Sequence, residues 1–129
     1  MVGLDTGYFL GLIQGEQNIV KHWEGLKAQG IAPYVSVLTL GELLYISIRA
    51  GKPEQGRKMV KGIEKVSNIV NVDEPIIEKA AGLKAGRGIP YIDAIIISSF
   101  LEKGCREIHT KDRGHFKEVK NKGLKVIFW

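Results

Sequence analysis

Four carboxylates, on Asp5, Glu42, Asp93 and Asp112, sit where a chain alternating strands and helices would deliver them to one edge of a sheet. In open parallel sheets ligands collect in the crevice beyond the carboxyl ends of the strands, so the residues just after each strand carry the information. Asp5 ends the first strand-like run, and Glu42 falls about two turns into the helical pattern that follows the second. Asp93 opens the most apolar helix, and Asp112 follows the fourth run by way of Thr110-Lys111. Asp5, Asp93 and Asp112 also fit a plainer reading, as helix N-terminal acids favoured by capping and by the helix dipole. Glu42 does not, because it lies among Leu40, Leu43 and Leu44 inside a helix, and Asp93 runs directly into Ala94-Ile95-Ile96-Ile97. Acids at the margin of a core need partners. Gathered carboxylates cannot all stay ionised without a counter-charge, and the expected one is a divalent cation with oxygen ligands, Mg²⁺ or Mn²⁺.

Zinc fits less well. His22, His109 and His115 show no pairing at ligand spacing, and Cys105 is the single cysteine. Its position before an apolar strand reads as core packing, and a lone thiol suits a reducing cytosol. His22, beside Trp23, reads as a helix surface residue and His109 as a half-buried strand residue. His115, three residues after Asp112, is close enough to contact a substrate. Nineteen Lys+Arg against fourteen Asp+Glu leave a formal charge of +5, which favours polyanionic partners. Acid-held Mg²⁺ in a basic protein points to hydrolysis of phosphate esters. There is no Walker-A sequence, and Gly3, Gly7 and Gly11 have the wrong spacing for a dinucleotide fingerprint.

The elements that must position these residues follow from periodicity. Short apolar runs at Met1 to Leu4, Pro33 to Ser36, Ile69 to Val72, Arg106 to His109 and Lys125 to Phe128 predict strands, with helical patterns between them. Thr6 to Ile13 is one helix, and Ile19, Val20, Trp23 and Leu26 are the apolar stripe of the next, closed by Gly30. Ser36 is the candidate N-cap of a helix over Val37 to Ile48. Met59, Val60, Ile63 and Val66 face inward on the helix after Pro53, whose outer face carries Arg57, Lys61 and Lys65. That stripe is either a solvated face or a phosphate-contacting ridge. Asp73-Glu74-Pro75 starts a further helix, and Gly86, Gly88 and Pro90 separate it from the apolar Ile92 to Leu101. Alternation of this kind implies an α/β chain with a mostly parallel sheet covered on both faces, a three-layer α/β/α sandwich. We expect one domain over 1–129, cytoplasmic, with no signal segment and no apolar run near the roughly 18 residues of a membrane span.

With these residues in place, the chain resembles the PIN-domain nucleases, particularly the compact type that includes the toxins of VapBC toxin–antitoxin pairs. The resemblance lies in Gly3-Leu4-Asp5-Thr6, in Ser36 through Glu42-Leu43, in Gly86-Arg87 leading to Asp93-Ala94-Ile95-Ile96, and in Thr110-Lys111-Asp112 with His115-Phe116. It implies a five-stranded parallel sheet, an acidic metal site, RNA as substrate, frequent homodimers and, for the toxin type, an antitoxin protein that plugs the site. Carried over, Asp5, Glu42, Asp93 and Asp112 would hold metal or orient the attacking water. Thr6 and Thr110 would be polar neighbours, and Arg87 would meet a phosphate. Many relatives carry a further acid where His115 stands here, a departure consistent with a one-metal resting state. The dimer expectation also draws on Tyr45, Ile46 and Ile48 around Glu42, which core packing would explain equally well.

Two other readings compete. A receiver-type phospho-signalling domain would also gather acids around Mg²⁺, with Asp73 as phosphoacceptor. Against it, the first strand ends in one acid rather than two, two helices separate the first strands, and no helix follows the last. A catalytically inactive PIN-like module for RNA binding or assembly would need only the basic face, but all four acids are retained.

Overall fold

The computed structural model describes residues 1–116, 119 and 123–129. Five strands, β1 (Val2–Leu4), β2 (Tyr34–Ser36), β3 (Asn68–Val70), β4 (Glu107–Thr110) and β5 (Lys125–Phe128), form one sheet in the order β3-β2-β1-β4-β5. Every pairing is parallel, with Gly3 of β1 opposite Tyr34 on one side and Ile108 on the other. A receiver would order its strands 2-1-3-4-5; here β3 is an edge strand, so Asp73 stands away from the sheet centre. Instead it caps a helix, its Oδ1 accepting from the Ile76 amide at 3.1 Å.

Parallel neighbours need crossovers, and the helices supply them: α1 (Thr6–Ile13), α2 (Gln17–Ala28), α3 (Val37–Arg49), α4 (Pro53–Val66), α5 (Glu74–Arg87), α6 (Tyr91–Glu102) and the short α7 (Arg113–Phe116). Strand side chains alternate between the two faces. Leu4 and Val35 enter a core with Tyr8, Phe9, Trp23, Leu43 and Ile63 of α1 to α4, whereas Val70 and Ile108 enter the opposite core with Ile76, Ile96 and Phe100 of α5 and α6. The sandwich is therefore α/β/α, as the alternation predicted. Gly3 allows α6 to approach the central strand closely, since a Cβ there would stand 2.6 Å from the Phe100 ring. Cys105 is buried in the α5/α6 core, and its thiol is pushed up to about 11 by burial.

Chain reversal gives the sheet its functional geometry. From β1 the chain fills one side with β2 and β3, then returns to build β4 and β5 on the other. The crevice at such a switch point opens between the ends of β1 and β4, and those strands run directly into the segments carrying Asp5 and Asp112.

Two surface expectations are refined. Tyr45 and Ile48 are 58% and 61% exposed and Ile46 is also exposed, so core packing does not explain them. On α4, Arg57 pairs with Glu54, and Lys61 lies 3.8 Å from Glu64. These local ion pairs support a solvated face over a phosphate ridge. No helix among the described residues is long and apolar enough to cross a membrane.

Candidate active site

Asp5 is the N-cap of α1 and is 4% exposed. Its Oδ1 accepts from the Tyr8 amide at 2.9 Å and its Oδ2 from the Thr110 hydroxyl at 2.5 Å. Capping thus accounts for one oxygen, and the second is turned toward β4. Thr110 is 0% exposed, so it offers no surface to a substrate. Its oxygen also accepts from the Asp112 amide at 2.9 Å, which ties the ends of β1 and β4 together through one hydroxyl.

Asp112 caps the short α7, its Oδ1 accepting from the His115 amide at 2.9 Å. That turn brings the His115 ring back over the acids. His115 Nδ1 lies 2.7 Å from Asp112 Oδ2 and 2.6 Å from Asp93 Oδ2. Asp93 sits in the first turn of α6, a helix whose N-cap, Pro90, makes no side-chain cap bond. Its carboxylate is directed at His115 and Asp112 rather than spent on its own helix end. Glu42 joins from α3: the Thr6 hydroxyl donates to its Oε1 at 2.5 Å and lies 3.1 Å from Thr39 Oγ1. Thr6 is therefore a polar neighbour that fixes Glu42 beside the Asp5 segment. Of the two cations flanking Asp112 in sequence, Lys111 pairs with Glu16 and Arg113 lies over the Phe128 ring. Arg87 is exposed in the last turn of α5.

The electrostatics follow from this crowding. Burial pushes Asp5 up to about 6, and the carboxylates of Asp93 and Asp112 push it the same way, while the Thr110 and Tyr8 hydrogen bonds pull it down. Asp93 is also raised, mainly by burial and further by Asp112, with His115 opposing. Both rises come chiefly from burial, and clustered acids shifted in this way are functional-site candidates. Asp93, Asp112 and His115 each offer one ligand atom, all within 4.8 Å of one another. Two carboxylate oxygens with an imidazole nitrogen beside them fit a divalent cation.

Sequence reasoning found the four acids but missed what links them. The Asp112/His115 spacing of three, a single helical turn, was the available signal for His115; its reach to Asp93 was not visible. Thr39 was missed as well. His22 departs from its expected surface placement. Its ring stacks on His109 at 4.4 Å, and its Nδ1 lies 2.7 Å from the Tyr8 hydroxyl. His109 is 3% exposed rather than half-buried, with Glu107 on Nε2 at 2.6 Å and Trp129 Nε1 donating to Nδ1 at 2.9 Å.

Comparison with known proteins agrees with this fold. The structure is similar to a VapBC complex from Rickettsia felis bound to a promoter DNA fragment (TM-score 0.80, 20% identity, 100% of this chain and 99% of that one). It is similar to a toxin–antitoxin complex from Klebsiella pneumoniae (TM-score 0.75, 19% identity, 97% and 96%). It is also similar to the sarcin-ricin loop cleaving toxin of Mycobacterium tuberculosis (TM-score 0.68, 18% identity, 94% and 100%). At such identities the likeness shows a shared fold. No curated protein sequence matches the chain. The PIN domain family model matches residues 2–122, and with a switch-point crevice lined by acids from separate elements, the chain belongs to the PIN domain family.

Proposed function

We propose that this PIN domain is a metal-dependent endoribonuclease whose site is built from Asp5, Glu42, Asp93 and Asp112, and that it acts as the toxin of a toxin–antitoxin pair. The observation that carries the reading is the convergence of Asp5, Asp93 and Asp112, close enough that Asp93 and Asp112 add to the rise of Asp5 and Asp112 to that of Asp93, with Glu42 alongside through Thr6. Burial is the larger cause of both shifts, and acids kept buried and close together call for an offsetting charge.

The residues fit a Mg²⁺- or Mn²⁺-sized cation, which when bound would supply charge neutralisation and an activated water for in-line displacement at phosphorus. Asp93 and Asp112 would be the accessible ligands. Asp5, with one oxygen fixed by the Tyr8 amide and the other by Thr110, would hold a rigid negative charge at the floor of the crevice. Glu42, fixed by Thr6, would orient the water or a second ligand position. The chain's net positive charge would draw in RNA, and Arg87, exposed in the last turn of α5, would meet a phosphate. Because Thr110 is buried, its part is to hold Asp5 rather than to touch substrate.

Partners follow from the exposed apolar residues. Val37, Leu38, Gly41, Tyr45 and Ile92 form a hollow that includes Glu42, and this face would join two copies of the chain. A second groove, between α3 and α4 with Ile13 at its edge, would take an antitoxin segment, in line with the complexes to which the fold is similar. A cytoplasmic location suits these roles.

The test is cleavage of a mixed RNA pool with Mg²⁺, Mn²⁺ or EDTA, with Asp5→Asn alongside. Cleavage that needs metal and is lost in the variant supports the reading. RNA binding without cleavage in either metal would favour an inactive binding module instead.

A further inference from the structure

The donor set is not purely acidic. One nitrogen, His115 Nδ1, stands between the two accessible carboxylates, 2.6 Å from Asp93 Oδ2 and 2.7 Å from Asp112 Oδ2. A single ring nitrogen carries at most one proton, which cannot give a full linear hydrogen bond to both oxygens. The arrangement suits a cation shared by all three atoms better. A six-coordinate cation of this size holds adjacent ligand atoms about 3 Å apart, and the three donor atoms here lie within 4.8 Å of one another. The ring is also positioned before any ion arrives: the Asp112 Oδ1 bond to the His115 amide fixes the turn, and the burial of Phe116 anchors the next residue. The side chain of His115 is 49% exposed, so the position faces the open mouth of the crevice, where an ion exchanges with solvent.

We propose that His115 is a metal ligand, forming with Asp93 and Asp112 a two-oxygen, one-nitrogen subsite that selects Mn²⁺ or a similar first-row transition ion over Mg²⁺. The reason is ligand chemistry: Mg²⁺ is a hard ion that favours oxygen and retains its waters, whereas imidazole binds transition ions more readily. The inference rests on the metal-dependent reading above but concerns which ion the site takes, not whether RNA is cut.

The experiment is metal titration by calorimetry on the full chain without RNA, comparing wild type, His115→Asn, His115→Asp and Asp93→Asn, together with electron spin-echo spectroscopy of the Mn²⁺-loaded protein. The expected result is ¹⁴N modulation from a coordinated imidazole in wild type. That signal should vanish in His115→Asn, with Mn²⁺ affinity falling about tenfold or more and Mg²⁺ affinity changing much less. His115→Asp, restoring an all-oxygen set, should shift the preference back toward Mg²⁺. Mn²⁺ bound without nitrogen modulation, or equal losses for both ions in His115→Asn, would overturn the role of His115 while leaving the acidic metal site standing. If wild type binds neither ion, or Asp93→Asn binds as wild type does, the metal reading itself fails and this inference with it.

Discussion

Two clusters of ionisable side chains lie on either side of the junction between β1 and β4, and they are treated in opposite ways. In the Tyr8, His22, His109 and Trp129 cluster the polar atoms have found protein partners: tyrosine with histidine, histidine with glutamate, indole with imidazole. The rings stack, and burial holds both histidines below their ordinary range, neutral near pH 7. In the Asp5, Asp93 and Asp112 cluster the hydrogen bonds are also well formed, yet burial, with a smaller contribution from neighbouring carboxylates, raises Asp5 and Asp93. His109 and Thr110 are neighbours on one strand and serve different clusters because successive strand side chains point to opposite faces. Burial favours the neutral form in both clusters; what sets the acids apart is that two further carboxylates add to the rise of Asp5.

The contrast can be broken experimentally, the largest effect first. Asp5→Asn preserves volume and removes one charge, and we expect RNA cleavage to fall at least about 100-fold, since even outer-shell partners of a metal site are worth 10- to 100-fold, with the circular dichroism spectrum unchanged. Retained cleavage would remove Asp5 from the site. Thr110→Val keeps the buried shape but strips the donor from Asp5 and the acceptor from the Asp112 amide. It should cost about 2 kcal/mol in urea unfolding and lower activity as well, because the acid it holds is freed.

The same Asp5→Asn variant sharpens the comparison through stability in EDTA. A carboxyl raised from 3.8 to about 6 binds more protons folded than unfolded across that interval, so its stabilising contribution is complete below pH 3.8 and is lost as pH rises through 6. At pH 8 the metal-free variant should therefore be more stable than wild type by up to about 3 kcal/mol, an advantage that disappears near pH 4. The histidine pair has the opposite sign. Lowered values mean that the unfolded chain binds more protons below about pH 6.5, so stability from this cluster is present above that pH and lost on acidification through the folded values. His22→Phe should give the smallest effect, a loss of about 1 kcal/mol at pH 7.5 from the orphaned Tyr8 hydroxyl, with cleavage per folded molecule unchanged. A large loss of cleavage in that variant would erase the distinction between the two clusters.

Much of the fold was legible in the sequence because its signals are local. The five strand runs, the Ser36 cap, the Asp73 helix start and the apolar α6 each depend on residues within a turn or two of one another, and the structure places them within a few residues of expectation. Asp5 and Asp112 could be picked out because residues directly after strands lie where ligands collect, although helix capping accounts for that position equally well, and Asp93 because it precedes an apolar run. Other features were invisible for an equally plain reason. The Thr110 to Asp5 bond spans 105 residues, His22 meets His109 across two elements, and exposure of Tyr45 and Ile48 depends on which face of α3 the second helix of its hairpin covers.

What the sequence by itself determined is the alternation of strands and helices, the parallel sandwich it requires and the identity of the acids, since periodicity and side-chain chemistry act over short distances. Tertiary structure alone decided the strand order that puts β1 beside β4, the single hydroxyl joining Asp5 to Asp112, and the position of His115 between two carboxylates. Those depend on packing between segments far apart in the chain, where contact is set by how whole elements stack rather than by any residue's own preference.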